Sequence, residues 1–319
     1  MSTTNRSDEV RSVIWRNLPV WCTCALVAAA IISSRASAQA PRQFASPEDA
    51  VKAFIAAVKG GQLADLVAIL GAEGTQLIES SDPATGRQNQ KVFIVAVGEQ
   101  WRLEDADPNR KTLVIGNEEW PFPVPLVQDG NNWRFDTAAG KAEVLARRIG
   151  RNELAAIRIC ATYVAAQRRY AEHGHDGKPV GLYAQTFSSD AGKENGLFWP
   201  EVKGKRLSPL GDLVAQAASE GQRFGEGQKP MPFQGYYFKI LTAQGDAAPG
   251  GAKSYVASGN MSGGFALVAW PAEYDLTGIM TFIVNHDGIV YEKDLGPESA
   301  AMAGKMTQYD PDASWKRIE

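Results

Sequence analysis

Residues 138–174 read AAGKAEVLARRIGRNELAAIRICATYVAAQRRYAEHG, the longest helical pattern beyond the N-terminal segment. Leu154, Ile157, Cys160, Ala161 and Val164 recur at steps of three and four, so they share one apolar face. Arg147, Arg151, Arg158 and Arg169 fall on another face, expected to stand in water. No proline interrupts the run, and Ala, Leu, Arg, Glu and Gln are good helix formers. Gly140 and Gly150 weaken it, and Gly150 reads as a kink or as the junction of two helices. Strand-like segments lie on both sides. The helix is therefore expected to join two α+β units, residues 39–137 and residues 138–319.

On the N-terminal side, Ser46-Pro47-Glu48-Asp49 reads as a helix start, with serine at the cap and proline at the first helical position. Val51, Phe54, Ile55 and Val58 form its apolar stripe and Gly60-Gly61 ends it. A second helix is expected over 63–70, with a further turn at 75–80. Residues 81–89 are polar and turn-rich, and 92–97 fit helix or strand. KTLVIG (111–116), PVPLVQ (123–128) and NWRFD (132–136) read as strands, the last two joined at Asp129-Gly130. Pro121, Pro123 and Pro125 alternate, which suits an edge strand.

On the C-terminal side, 172–232 is irregular, with one short helical pattern at 209–219; a stretch this long is often functional. Strands return at 236–243, 265–270, 280–285 and 289–293, and Asn285-His286-Asp287-Gly288 makes the last pair a hairpin. Residues 245–260 read as an exposed loop.

The first 38 residues form a separate unit. Arg11 and Arg16 precede an apolar run from Leu18 to Ile32, and Ala36-Ser37-Ala38 has a small-x-small cleavage pattern, as in an export signal. The run falls short of the roughly 18 residues that span a bilayer. Arg6, Arg11, Arg16 and Arg35 against Asp8 and Glu9 give this segment +2, so the net −3 of the whole chain leaves −5 for residues 39–319. An acidic balance argues against nucleic acid as a partner. Cleavage at Ala38 removes Cys22 and Cys24 and leaves Cys160, which can form no internal disulfide and is expected as a buried thiol.

Several segments together carry a resemblance: SPEDAVKAFIAAVKGGQ, RIGRNELAAIR with YVAAQRRYA, GLYAQTFSSDAGKENGLFWP, PFQGYYFKIL, VAWPAEYDLTGIMTFIVNHDGIVYEKDLG and the final PDASWKRIE. They resemble the exported bacterial proteins grouped as domain-of-unknown-function family 2950, over nearly all of residues 39–319. That resemblance implies a compartment but no activity. Two helices followed by a meander that closes on Trp133-x-Phe135 resemble the cone-shaped nuclear-transport-factor-like and cystatin-like domains. A helix before an antiparallel meander with Asp287-Gly288 in its last hairpin is similar to the globular part of type II and type IV pseudopilins. The chain departs from pilins in placing its helix internally, so assembly through an N-terminal stalk is not implied.

The expected fold is α+β, a cone-like N-terminal lobe and a pilin-like C-terminal lobe. His173, His175 and Asp176 are chemically suitable metal ligands, but their spacing matches no established site and helix ends favour His and Gly anyway. Asp105, Asp107 and Asn109 lack the glycine and distal glutamate of a calcium loop, which leaves a polar turn. No G-x-S-x-G elbow, P-loop or strand-linked G-x-G-x-x-G occurs, and Gly221, Gly225 and Gly227 lie in a loop. No cofactor is expected. The reading is a non-enzymatic envelope module with an unidentified envelope protein or surface as partner and no spanning segment once the signal is removed. Arg147, Arg151, Arg158, Phe198 and Trp199 are its candidate contacts. The alternative is a hydrolase or small-ligand binder that uses a pocket in the N-terminal cone.

Overall fold

The computed structural model describes residues 40–78, 83–204, 206–219 and 231–318. The expected export signal at 1–38 and Gly221, Gly225 and Gly227 lie outside the described residues. The fold is α+β.

Two main hydrophobic cores form among the described residues, one built before the long helix in chain order and one from Ala156 of that helix onward, with Ile159 and Phe233 in a small third cluster. The first begins at the helix Pro47–Gly60. The Ser46 side chain accepts a hydrogen bond from Asp49 N at 3.1 Å, and Gly61 (φ 69°) closes the other end. Helices Leu63–Leu70, Thr75–Ile78 and Pro83–Glu99 follow. The last of these corrects the turn-rich reading of 81–89, because residues 83–89 belong to a 17-residue helix. An antiparallel sheet then forms from Trp101–Asp107, Arg110–Ile115, Leu126–Asp129 and Asn132–Phe135 in that spatial order, with Trp120–Pro121 pairing Arg110–Ile115. Asp105 and Asp107 thus sit in a strand, and Asp107 accepts from Asn109 N at 2.9 Å in the turn that follows. Of the proline-rich stretch, only Pro121 lies in an edge strand, Trp120–Pro121, which pairs on one side alone. Pro123 and Pro125 precede Leu126–Asp129, which pairs on both sides.

The long helix is one uninterrupted element, Thr137–Ala171. Gly150 causes no break, and nothing lies within 4 Å of where its Cβ would be. Its N-terminus is fixed to the first core. Asp136 caps it through Ala139 N (3.2 Å), Thr137 Oγ1 donates to Leu70 O (2.6 Å), and a Cβ on Gly140 would fall 2.7 Å from Val124. From Asn152 onward it covers the second sheet. Asn152 Nδ2 donates to Thr277 O (2.8 Å), and Glu153 accepts from Ile279 N and Met280 N at 2.9 and 3.0 Å.

The buried face of the helix differs from the expected one. Cys160 and Val164 are buried, but Ile157 is half-buried, and Leu154 and Ala161 are exposed. From Asn152 onward the buried residues of the helix are Ala155, Ala156, Ile159, Cys160, Tyr163, Val164, Ala166, Gln167 and Tyr170; Tyr163 donates to Ala266 O of the sheet, while Gln167 and Tyr170 reach Ala184 and Glu194. The sheet has the order Lys316–Arg317, Val290–Asp294, Met280–Asn285, Ala266–Pro271, Tyr236–Leu241, all antiparallel. The long helix lies on one face, and Ser299–Lys305 with Gln308–Tyr309 lie on the other. Residues 245–260 are not simply an exposed loop. Tyr255 and Ala248 are buried, and 253–254, 256–257 and 260–261 are short strands. Among the described residues, no helix is long and apolar enough to cross a membrane.

Candidate functional site

The long helix ends where the sequence turns to His173-Gly174-His175-Asp176-Gly177. Gly174 is required here because a Cβ would lie 2.6 Å from Lys178 O. Lys178 N donates back to His175 O (2.9 Å), and Asp176 and Gly177 both have positive φ. A small pocket of about 40 Å³ opens beside this turn, lined by Tyr170, His175, Asp176, Tyr183, Asn195 and Met261 among others. At roughly 10–15 Å³ per water it holds about three waters.

His175 is buried in the wall of this pocket and stacks on Tyr170, with ring centroids 3.9 Å apart. Its Nε2 lies 2.9 Å from Tyr170 O, and a carbonyl only accepts, so Nε2 carries a hydrogen. Nδ1 lies 3.4 Å from a Glu194 oxygen, within ion-pair distance but outside hydrogen-bond geometry. Tyr170 OH donates to Glu194 O (3.0 Å), and Glu194 N donates to Asp176 (3.0 Å). Burial pushes the Tyr170 phenol up to about 12, so near neutral pH it acts as a donor and gives up no proton. The three groups clamp the chain around Glu194 onto the helix end. His175, Asp176 and Glu194 therefore meet: Asp176 is spent on Glu194 N and His175 Nε2 on Tyr170 O, while His175 Nδ1 is left without a hydrogen bond beside the Glu194 carboxylate. Among the described residues, no three His, Cys, Asp or Glu groups cluster as a metal would require.

The other perturbed groups lie elsewhere. Burial pushes the Cys160 thiol up to about 12, and no base adjoins it. Burial also raises Tyr163 and Tyr236, whose hydroxyls donate to Ala266 O (3.1 Å) and Met280 O (3.0 Å). Glu153 is raised chiefly by burial, although the two backbone N–H groups it accepts from pull the other way. Perturbed groups that converge in a cleft mark a reactive centre; these are spread through a core and tied to backbone.

The candidate contact residues separate. Arg151 and Arg158 are exposed, and no carboxylate among the described residues pairs with either. Arg147 is half-buried: it pairs Glu143 (2.8 Å), donates to Pro121 O (2.8 Å) and lies over the Trp120 ring at 5.5 Å. Trp199 offers no surface, since it is 6% exposed, donates to Arg206 O and packs in the second core. Phe198 is half-buried beside Phe187 and Ser188. Tyr170 and Glu194 were missed as partners of His175. Tyr170 stands five residues before His175, across a helix end that no periodicity spans.

The chain belongs to the family described as "Protein of unknown function (DUF2950)", whose model matches residues 41–318. Neither a curated protein nor a solved structure matches it.

Proposed function

We propose that the chain is an exported cell-envelope protein that works as a non-enzymatic interaction module. The observation that carries this reading is the interior of the first lobe. Phe54 stands 5.6, 5.1 and 5.2 Å from Phe93, Phe122 and Phe135, ring centre to ring centre, so side chains occupy the place where a cone-shaped enzyme keeps its substrate. Val51, Leu113, Ile115 and Leu126 close around them. This lobe reads as a filled version of the cone. The helix on an antiparallel meander in the second lobe supports the pilin-like reading, with no stalk for filament assembly.

Two measurements test the proposal. Protein recovered from the envelope fraction is expected to begin near Gln39 by intact mass, and a retained 1–38 segment removes the export claim. A dye that fluoresces in apolar cavities is expected to stay dark with the native protein. Bright, saturable binding abolished by Phe122→Trp would move the assignment to the alternative, a ligand-binding cone.

A further inference from the structure

We propose that the exposed face of the long helix is a docking surface for an anionic phospholipid bilayer. Between Arg147 and Ala171 the helix carries six arginines and a single acid, Glu153, whose carboxylate is turned inward onto Ile279 N and Met280 N. At about 100° per residue, Arg147, Arg151, Arg158 and Arg169 fall within about 40° of one another, and at roughly 1.5 Å per residue they span about 33 Å. Arg151, Arg158 and Arg169 are exposed, and none has an ion-pair partner among the described residues. Residues 39–319 carry net −5, so this concentration of unpaired cations runs against the balance of the rest of the chain.

Two apolar side chains decide the occupant. Leu154 is 59% exposed and stands between Arg151 and Arg158 on the same face. Trp120 is 44% exposed and holds Arg147 over its ring at the N-terminal end of the stripe. An acidic protein or polymer needs only the cations. Leucine and tryptophan set among arginines on a straight face match a headgroup layer, which takes the charges at its phosphates and the apolar groups just beneath. Beside Trp120, Glu119 is paired with Arg102 (3.2 Å), while Glu118 is exposed and opposes the attraction locally.

The inference rests on the envelope location proposed above. The test uses the processed chain recovered from that fraction, sedimented with phosphatidylcholine vesicles and with vesicles half phosphatidylglycerol. Binding is expected to the anionic vesicles only and to be released by salt, because exposed charges are screened. Each arginine near an anionic surface is worth about five-fold, so the variant R151Q/R158Q/R169Q is expected to partition on the order of a hundred-fold less. Arg158→Gln alone is expected to lose about five-fold, and Leu154→Ser several-fold. Exposed substitutions leave the melting temperature nearly unchanged, which separates lost binding from lost fold. Three outcomes overturn the surface: no binding by the natural chain, equal binding to neutral vesicles, or an arginine variant that binds as well as the natural chain. Arginine-dependent binding to a soluble acidic polymer with none to vesicles also overturns it. If the chain starts near Gln39 yet ignores lipid, the surface assignment fails and the envelope reading stands.

Discussion

The two cores are built on different principles. The first is dry: Phe54, Phe93, Phe122 and Phe135 stack with Val51, Leu113, Ile115 and Leu126, and none of these carries a polar atom beyond its backbone. The second is rich in tyrosine and threaded with polar contacts. Tyr163 donates to Ala266 O and accepts from Gln167, Gln167 bridges to both backbone groups of Ala184, and Tyr255 donates to Gln244, which reaches Pro249 O and Gly251 O. A dry core is specified by volume and tolerates exchange of one apolar residue for another. A core of buried hydrogen bonds is specified by partners, because each unmade bond leaves a desolvated group behind. The long, irregular 172–204 segment shows what the second design achieves. It has little regular structure, and Gln167 and Tyr170 hold it by hydrogen bonds from the helix.

The contrast can be broken at its strongest point first. Phe135 is fully buried, and Phe135→Ala is expected to cost about 3–5 kcal/mol by denaturant unfolding, whereas Phe135→Leu should recover most of that loss. A Leu variant no better than Ala would mean that the first core depends on ring geometry. Next, Tyr163→Phe keeps the ring and removes only the hydroxyl, leaving Ala266 O and Gln167 Nε2 each short of one partner. A loss of about 1–3 kcal/mol is expected, far above that of a surface change. No loss would make the second core as volume-driven as the first.

The smallest effect lies where the helix meets the second sheet. Burial holds the Glu153 carboxyl above its ordinary range, with Glu292 and Asp294 adding to it. A raised folded pKa favours the protonated form. Glu153 therefore contributes stability below the unfolded value, and that contribution is lost as pH rises through the folded value. Glu153→Gln keeps an oxygen for Ile279 N and Met280 N and carries no charge. Its melting temperature is expected to exceed that of the natural chain at pH 8, with the gap closing by pH 4. A gap of opposite sign at pH 8 would show that the carboxylate's charge stabilises this contact.

Where the sequence was legible, local chemistry was decisive. The Ser46 cap, the Asp129-Gly130 and Asp287-Gly288 turns, the strand at 280–285 and the buried Cys160 each follow from a few neighbouring residues. What escaped depends on packing. Residues 83–89 continue a helix whose apolar half, with Phe93 and Val97, packs against the first core; arginine and glutamine extend a helix at little cost. Leu154 and Ala161 are apolar, yet at about 100° per residue they fall beside Arg147 and Arg158 rather than beside Cys160, and both are exposed. The buried face instead runs through Ala156 and Tyr163. At the pocket, the histidines stand out in composition, but the clamp on Glu194 crosses 19 residues of irregular chain. No turn chemistry or period encodes such a pairing.

Cys160 sits at 0% exposure in the middle of the helix face that the second sheet covers, and it is the only cysteine beyond residue 38. A chain that begins near Gln39, as proposed above, carries a built-in clock. A thiol reagent reaches that sulfur only when helix and sheet part, so the rate of labelling counts openings of the second core and is blind to local motion in the first. One residue thus reports on the second core alone, with no cysteine introduced.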